Sequence, residues 1–498
     1  MFGETALVML VIGSAVVAQL ALSDAFYLFH RNFWLDEILM DTLVSDRDLG
    51  HALRAVRGGL DTNPPTYCLL LRAFRVLAGC GGEVPLRCVA LTAALLTLLG
   101  LYLSLRQAYP PLTAFAAVLA LWGHPLLQRH AFDARMYGLW LAAVVWFAYS
   151  LAGVWGAPDS RWLLVLLAGT SFLACTLHSM GIVAWALVVG FHLLWHGFSA
   201  GRWHVLGLAG LGPLGYFAWS PFLWLQGRAY TVSWVSPPSW QNIVPFVREF
   251  LLPRRLANAV LLGGGLALFL VPTGMAGTPP ALPRNPANLA GLAGLVCMPL
   301  VLVVLSHSVD PLLNDRYALP TVASFAPAIA LVFSPVPDLW SLALCGLLFW
   351  TGAAGLRDLC LSYQEQDQRS ARLMAAIRAH TGDAPILFEE PEELHVVCRY
   401  APDLAQRCWA LDFEPEHLGS IDNYRLGVRD MVRLFVKFYP RPGLLSWEAV
   451  RHAPQHYFVP ASANHQQGFA DAEKRYPGFT AWPIEAGLYE LVATRHGP

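Results

Sequence analysis

Two adjacent carboxylates, Asp36 and Glu37, stand in the string Arg31-Asn32-Phe33-Trp34-Leu35-Asp36-Glu37, just after a long apolar stretch. Tryptophan collects at membrane–water boundaries, so a carboxylate beside Trp34 meets water on one side and lipid headgroups on the other. A polar acceptor and a lipid-borne donor can meet at such a place. An isolated acid there more often pairs a neighbour such as Arg31; the adjacent pair, seen with four further clusters, favours chemistry. One is His124-Pro125 followed by Arg129-His130-Ala131-Phe132-Asp133-Ala134-Arg135-Met136-Tyr137, where Asp133 and Tyr137 share a face if the turn is helical. Its plain alternative is a polar connection with an internal Asp-Arg pair. Another is Asn63-Pro64-Pro65-Thr66-Tyr67, alone a weak turn signal, whose prolines fix the chain at the start of a helix. His178 sits at a tight turn, where a lone histidine is more often structural. In Asn314-Asp315-Arg316-Tyr317-Ala318-Leu319-Pro320, Arg316 has two uses: binding a phosphate, or pairing Asp315.

The elements that must position these groups are apolar. The chain has 498 residues, 56% hydrophobic and 13% charged, against about 25% charged in soluble domains. A net charge of -1 argues against nucleic acid as a partner. A membrane span needs about 20 mostly apolar residues. Suitable runs centre near residues 16, 97, 119, 146, 170, 188, 214, 265, 298, 326 and 347, which predicts about eleven transmembrane helices. The first run is too long for a typical signal-peptide core and has no basic residues before it, so it reads as a retained helix. All five polar clusters then fall on one side, called outer. The inner loops carry Arg106, Arg161, Arg202 and Arg284, a weak positive-inside signal. Polar clusters confined to one side, with an acid at the interface and arginines near it, point to an enzyme acting on a lipid phosphate.

Outer loop 1 is predicted to hold amphipathic interfacial helices over 38–57 and 66–78. Loop 226–256, with Trp234, Trp240 and the Pro-Pro turn at 237–238, reads similarly. Of the 34 acidic residues, 15 precede residue 356 and 19 follow it, so the tail reads as water-soluble. It alternates helix-like pieces (Gln368 to His380) with strand-like ones (Pro385 to Phe388), predicting a small α/β or α+β domain. The expected domains are therefore 1–355 in the membrane and 356–498 outside it. The nine cysteines form no metal-binding pattern. Cys398 and Cys408 are close enough in sequence to pair in an oxidising compartment.

The strings Trp34-Leu35-Asp36-Glu37, Asn63-Pro64-Pro65-Thr66-Tyr67-Cys68-Leu69-Leu70-Leu71, Pro85-Leu86-Arg87, Asp133-Ala134-Arg135-Met136-Tyr137, His178 and Asp315-Arg316-Tyr317-Ala318-Leu319-Pro320 together resemble a known pattern. It is that of the multi-spanning glycosyltransferases with the GT-C fold. The closest branch is that of lipid A aminoarabinose transferases and rhizobial-type galacturonosyltransferases; protein O-mannosyltransferases are more distant. The resemblance covers about residues 1–355. Two departures stand out: Asn63 where the family often has His, and Asp133 where it often has Glu. The resemblance implies inverting transfer of a sugar from a polyprenyl-phosphate donor at the periplasmic face of a bacterial inner membrane. Asp36 would be the general base toward the acceptor hydroxyl, which asks for a carboxylate within about 3 Å of it. Glu37 would assist less directly. Asp133 would position the acceptor, orient an arginine or share a cation with Asp36. Arg316 and Arg135 would stabilise the leaving phosphate, with Tyr137 and His178 as hydrogen-bond donors and Asn63, Tyr67 and Tyr317 lining the substrate site. No metal cluster is required, and a divalent cation bridging Asp36 and Asp133 is compatible with the motifs. Expected partners are the lipid-linked donor, membrane lipids and a lipid A or core, glycan or protein acceptor, with the chain acting as a monomer. The competing reading is a transporter or flippase of a lipid-linked saccharide. Against it stand the lack of an inverted repeat and of matched broken helices.

Overall fold

The structure, a computed structural model, describes residues 2–198, 200–230, 235, 238–246, 248, 253–254, 257–258, 260–262, 264–265, 285–309, 311–388, 391–412, 423–439, 443–452, 457–460, 479–484 and 488–493. By its internal contacts the chain divides into two compact units. The first comprises Met1–His30, Asn63–Leu223 and Pro237–Leu361; the second comprises Arg31–Thr62, Trp224–Ser236 and Ser362–Pro498. This differs from a simple cut at 355/356. Two loop segments, one carrying Asp36 and Glu37, group with the C-terminal stretch.

The first unit is helical. Thr5–Leu22, Glu83–Arg106, Tyr137–Gly156, Pro286–Ser308 and the start of Asp338–His380 are long and apolar enough to cross a membrane. Pro111–Trp122, Arg161–Thr176, Gly181–His196 and Thr321–Phe333 are apolar but shorter. At 1.5 Å per residue, helices of this length cover only about 18–24 Å of a hydrocarbon layer about 30 Å thick. The predicted span near 214 is broken into Trp203–Ala209, Leu211–Ala218 and Ser220–Gly227. Gly210, Pro213 and Pro221 explain the interruptions, since proline lacks the N–H that would continue the ladder. The span near 265 lies largely outside the described residues, as do Trp234 and Pro237.

The centre of this unit is Tyr137–Gly156, most of whose side chains are buried. Its tryptophan N–H groups reach across to neighbouring helices: Trp140 donates to the Ala174 carbonyl at 3.0 Å and Trp146 to that of Leu96 at 2.9 Å. Gln19 in the first helix accepts from Trp122 Nε1 and donates to the Phe349 carbonyl. Among lipid-like surroundings such polar ties add to close packing, each typically worth about 0.6 kcal/mol.

The second unit is built on a six-stranded sheet of order β3-β2-β1-β4-β6-β5. Its strands are β1 (Ile386–Phe388), β2 (Cys408–Asp412), β3 (Gly443–Ser446), β4 (Tyr457–Pro460), β5 (Phe479–Pro483) and β6 (Leu488–Ala493). The first four run parallel and β6 and β5 antiparallel. Helices Pro391–Tyr400, Asn423–Phe438 and Trp447–His452 connect the parallel strands. Alternation sends Ile386 and Phe388 into one apolar core and Leu387 into the other, as a strand covered on both faces requires. Cys398 and Cys408 are free thiols; Cys408 Sγ donates to the Leu404 carbonyl at 3.2 Å.

Candidate active site

Asp36 and Glu37 do not cap the first helix. That helix ends at Leu22, and Asp24 follows with a left-handed φ of 52°. The acids lie instead in the first turn of a separate helix, Leu35–Ser45, in the second unit. Their side chains part company: Asp36 is half-buried, while Glu37 has no exposed surface. Glu37 faces Arg31, itself 2% exposed, at 3.2 Å and 3.5 Å through a two-pronged contact. Its Oε2 also accepts the Trp34 N–H at 3.2 Å, the return half of an N-terminal capping box. Glu37 is thereby committed to fixing the start of its own helix.

The remaining sequence-predicted residues all fall in the first unit, and most converge on two turns. Residues 131–136 are not helical, so Asp133 and Tyr137 are not stacked on one helical face as the spacing suggested. The reason is a contact from a distant helix. Helix Pro125–His130 ends, and the Phe132 carbonyl is taken by the fully buried Arg87 at 3.1 Å, which also donates to the Phe29 carbonyl. Asp133 turns back to His130, with Oδ2 at 2.9 Å from Nδ1 and both side chains nearly inaccessible. Tyr137 opens the next helix, its ring 4.8 Å from His130 and 5.7 Å from His178.

His178 lies in the turn between Arg161–Thr176 and Gly181–His196. It stacks on Trp140 at 4.2 Å and meets the edge of Tyr317 at 5.2 Å. Its Nδ1 accepts the Met180 N–H at 3.0 Å, which leaves the proton of a neutral ring on Nε2. Burial, then the charges of Arg135 and His130, push its pKa down to about 3, so the ring is neutral near pH 7. The Nε2 atoms of His178 and His130 are both buried and have no hydrogen-bond partner among the described residues. Buried polar atoms left this way call for an explanation, and a ligand oxygen is one. Asn63 Oδ1 accepts the Ser179 N–H at 3.2 Å, so the Pro-Pro turn holds the His178 turn. That gives the Asn63 departure a structural purpose. Tyr67 is buried in the helix that follows the prolines, Thr66–Ala78.

At the other turn, Asp315 pairs Arg129 at 3.4 Å, and its Oδ1 accepts the Arg316 backbone N–H at 2.8 Å. The Arg316 guanidinium stands 5.9 Å above the Tyr137 ring. One wall of the first unit therefore gathers a guanidinium and two imidazoles around the Tyr137 phenol, a donor-rich set suited to an anion. The motif strings include His130 and Arg87 but give them no role, and Trp140 stands outside them. His130 was visible three residues before Asp133, the spacing at which the two now meet. Among the described residues no three His, Cys, Asp or Glu side chains group as a metal site.

No family model and no curated protein matches the chain. Among solved structures, it aligns with ArnT from Cupriavidus metallidurans bound to undecaprenyl phosphate. The TM-score is 0.58 at 13% identity, over 99% of this chain and 99% of that one. The apo state of ArnT from the same organism aligns over 100% of both chains at 14% identity, with a TM-score of 0.47. The undecaprenyl-phosphate-bound likeness shows a shared fold, the GT-C architecture that the motifs led one to expect.

Proposed function

From that shared fold, we propose that this chain is a membrane glycosyltransferase that moves a sugar from a polyprenyl-phosphate donor to an acceptor at the periplasmic face of a bacterial inner membrane. The observation that carries the reading is the end-to-end correspondence with a protein seen holding undecaprenyl phosphate. The anion-suited wall around Tyr137, His178 and Arg316 supports it. In this reading Asp36 takes the proton of the acceptor hydroxyl. The hydroxyl oxygen attacks the anomeric carbon from the face opposite the phosphate. The carbon–oxygen bond to the phosphate breaks, configuration inverts, and the lipid phosphate leaves with growing negative charge. Arg316 and Arg135 stabilise that charge, with Tyr137 and the Nε2–H of His178 donating hydrogen bonds, because fixed donors in a dry site are worth more than the same groups in water. Asp133 orients His130 and so trims the same wall. The acceptor classes are lipid A or its core, a glycan or a protein.

The test is transfer by purified protein from a radiolabelled polyprenyl-phosphate monosaccharide to an envelope lipid extract. Wild type should transfer and Asp36→Asn should lose about 100-fold or more of the rate, the usual worth of a positioned general base. A variant as fast as wild type removes Asp36 from the role of base. Lipid flipping in vesicles without transfer would replace the enzyme by a transporter.

A further inference from the structure

The segment that delivers Asp36 is held by the C-terminal stretch of its own unit through a row of ties. Three successive backbone N–H groups precede the helix Leu35–Ser45, and each meets a side-chain oxygen. Asn32 N–H donates to Asp367 Oδ2 at 3.1 Å and Phe33 N–H to Tyr400 Oη at 2.7 Å. Trp34 N–H donates to Glu37 at 3.2 Å. One turn beyond Asp36, the buried Asp41 carboxylate receives Arg399 at 2.9 Å. The same guanidinium lies 5.0 Å above the ring of Phe33, which has no exposed surface. Tyr400 and Arg399 are neighbours at the end of helix Pro391–Tyr400 and grip the segment before and after Asp36.

Buried apolar side chains (Leu35, Ile38, Leu39, Leu43) seat the helix, and the stretch before it borders open space. A cavity of about 140 Å³ flanks Arg31–Leu35, with Tyr363, Asp367, Glu392 and Val397 on its other walls. With open space on that flank, the polar ties add to the apolar packing in setting where residues 32–36 stand. A general base must stand within about 3 Å of the proton it takes, and a misplacement of about 1 Å can cost about 100-fold in rate.

We propose that Asp367, Tyr400 and Arg399 are positioning residues for Asp36, which makes the C-terminal stretch part of the catalytic apparatus rather than an accessory module. The inference rests on the reading of Asp36 as general base. It differs from that reading in what it demands of residues more than 300 positions away in sequence.

The experiment uses the full chain and the transfer assay above, with three arms. Tyr400→Phe keeps the ring and removes one oxygen; it should lower kcat about tenfold with the donor KM within twofold, and raise hydrogen exchange at residues 32–34. Arg399→Ala should do the same more strongly, and the exchanged pair Asp41→Arg with Arg399→Asp should recover part of kcat. Asp36→Asn is the reference. If Asp36→Asn is dead while Tyr400→Phe and Arg399→Ala keep wild-type kcat, positioning is refuted and the base stands, whether or not exchange rises. If Asp36→Asn transfers as wild type does, the base reading falls and takes this inference with it. A loss confined to KM would also overturn it, since that signature belongs to substrate binding.

Discussion

Replacing Glu37 by glutamine separates two roles for the second acid. The substitution keeps size and keeps an acceptor for the Trp34 N–H, since glutamine serves a capping box as glutamate does. What it removes is the charge opposite Arg31, whose side chain is 2% exposed and pinned between Glu37 and the face of Tyr363 at 4.0 Å. Breaking a buried ion pair by neutralising one partner costs about 3–5 kcal/mol, because the remaining charge stays buried. The Tyr363 contact is present in both proteins, but the glutamine amide oxygen can still accept an N–H in this place, which retains part of the interaction. The expected loss is therefore near the lower end, about 3 kcal/mol. In a unit of this size each kcal/mol moves Tm by about 2–4 °C, giving a fall of about 6–12 °C. Adding Arg31→Met should restore at least half of it, since the buried charge that faced Glu37 is then gone. Thermal melts in detergent, read with hydrogen exchange over 31–45, measure both. A Glu37→Gln protein that melts within about 3 °C of wild type yet transfers no sugar refutes this reasoning and returns Glu37 to catalysis.

Other outcomes follow from single side chains. Arg316→Ala should raise the donor KM about tenfold or more, since a charge-assisted contact to phosphate is worth about 1.5–3 kcal/mol; titration with the lipid-linked donor checks it. Burial pushes the pKa of His395 down from 6.5 to about 4. The folded C-terminal stretch thus keeps this ring neutral while the unfolded chain takes up a proton. Its contribution is complete above pH 6.5 and drains away as pH falls towards 4. Unfolding midpoints across that window should slope down for wild type and flatten for His395→Leu. Gly181→Ala should abolish folded protein on a detergent sizing column, because the added Cβ would strike the Ala174 carbonyl and lie 2.8 Å from Cys175 Cα, backbone atoms with no room to yield.

Much of the helical unit was legible because hydropathy is a sum over about 20 residues and tolerates local error. The span near 214 failed where Gly210, Pro213 and Pro221 cut an apolar run that composition alone reads as continuous. The placement of Asp36 on its own helix was missed for a related reason. Residues 25–29 are apolar, so the first span seemed to run on, but they form a 3-10 turn after the break at Asp24. Periodicity did find Thr66–Ala78 and helical character over 38–57, since amphipathic spacing survives without long-range partners, but not the division of that stretch into Leu35–Ser45 and Leu49–Arg57. The pairings at the sites were not legible. Nothing local announces that Asp133 will turn back to His130, or that Asn63 will hold Ser179 across 116 positions. Those choices depend on which chain segment the surrounding helices bring near, and one sequence does not encode that in any short window.

The three-part make-up of the second unit bears on how the chain is made. Asn32 leaves the ribosome long before Asp367, its partner 335 positions later. At about 5–20 residues per second, the segment carrying Asp36 waits on the order of 20–70 s for the groups that hold it. Through that interval Phe33 and the carboxylate of Asp41 have no cover from Tyr400 and Arg399. On the reading of Asp36 as base, synthesis must reach the last third of the chain before Asp36 is held, and a product truncated before Tyr400 is expected to be inactive. The C-terminal stretch expressed alone would in turn expose the face built for residues 31–62.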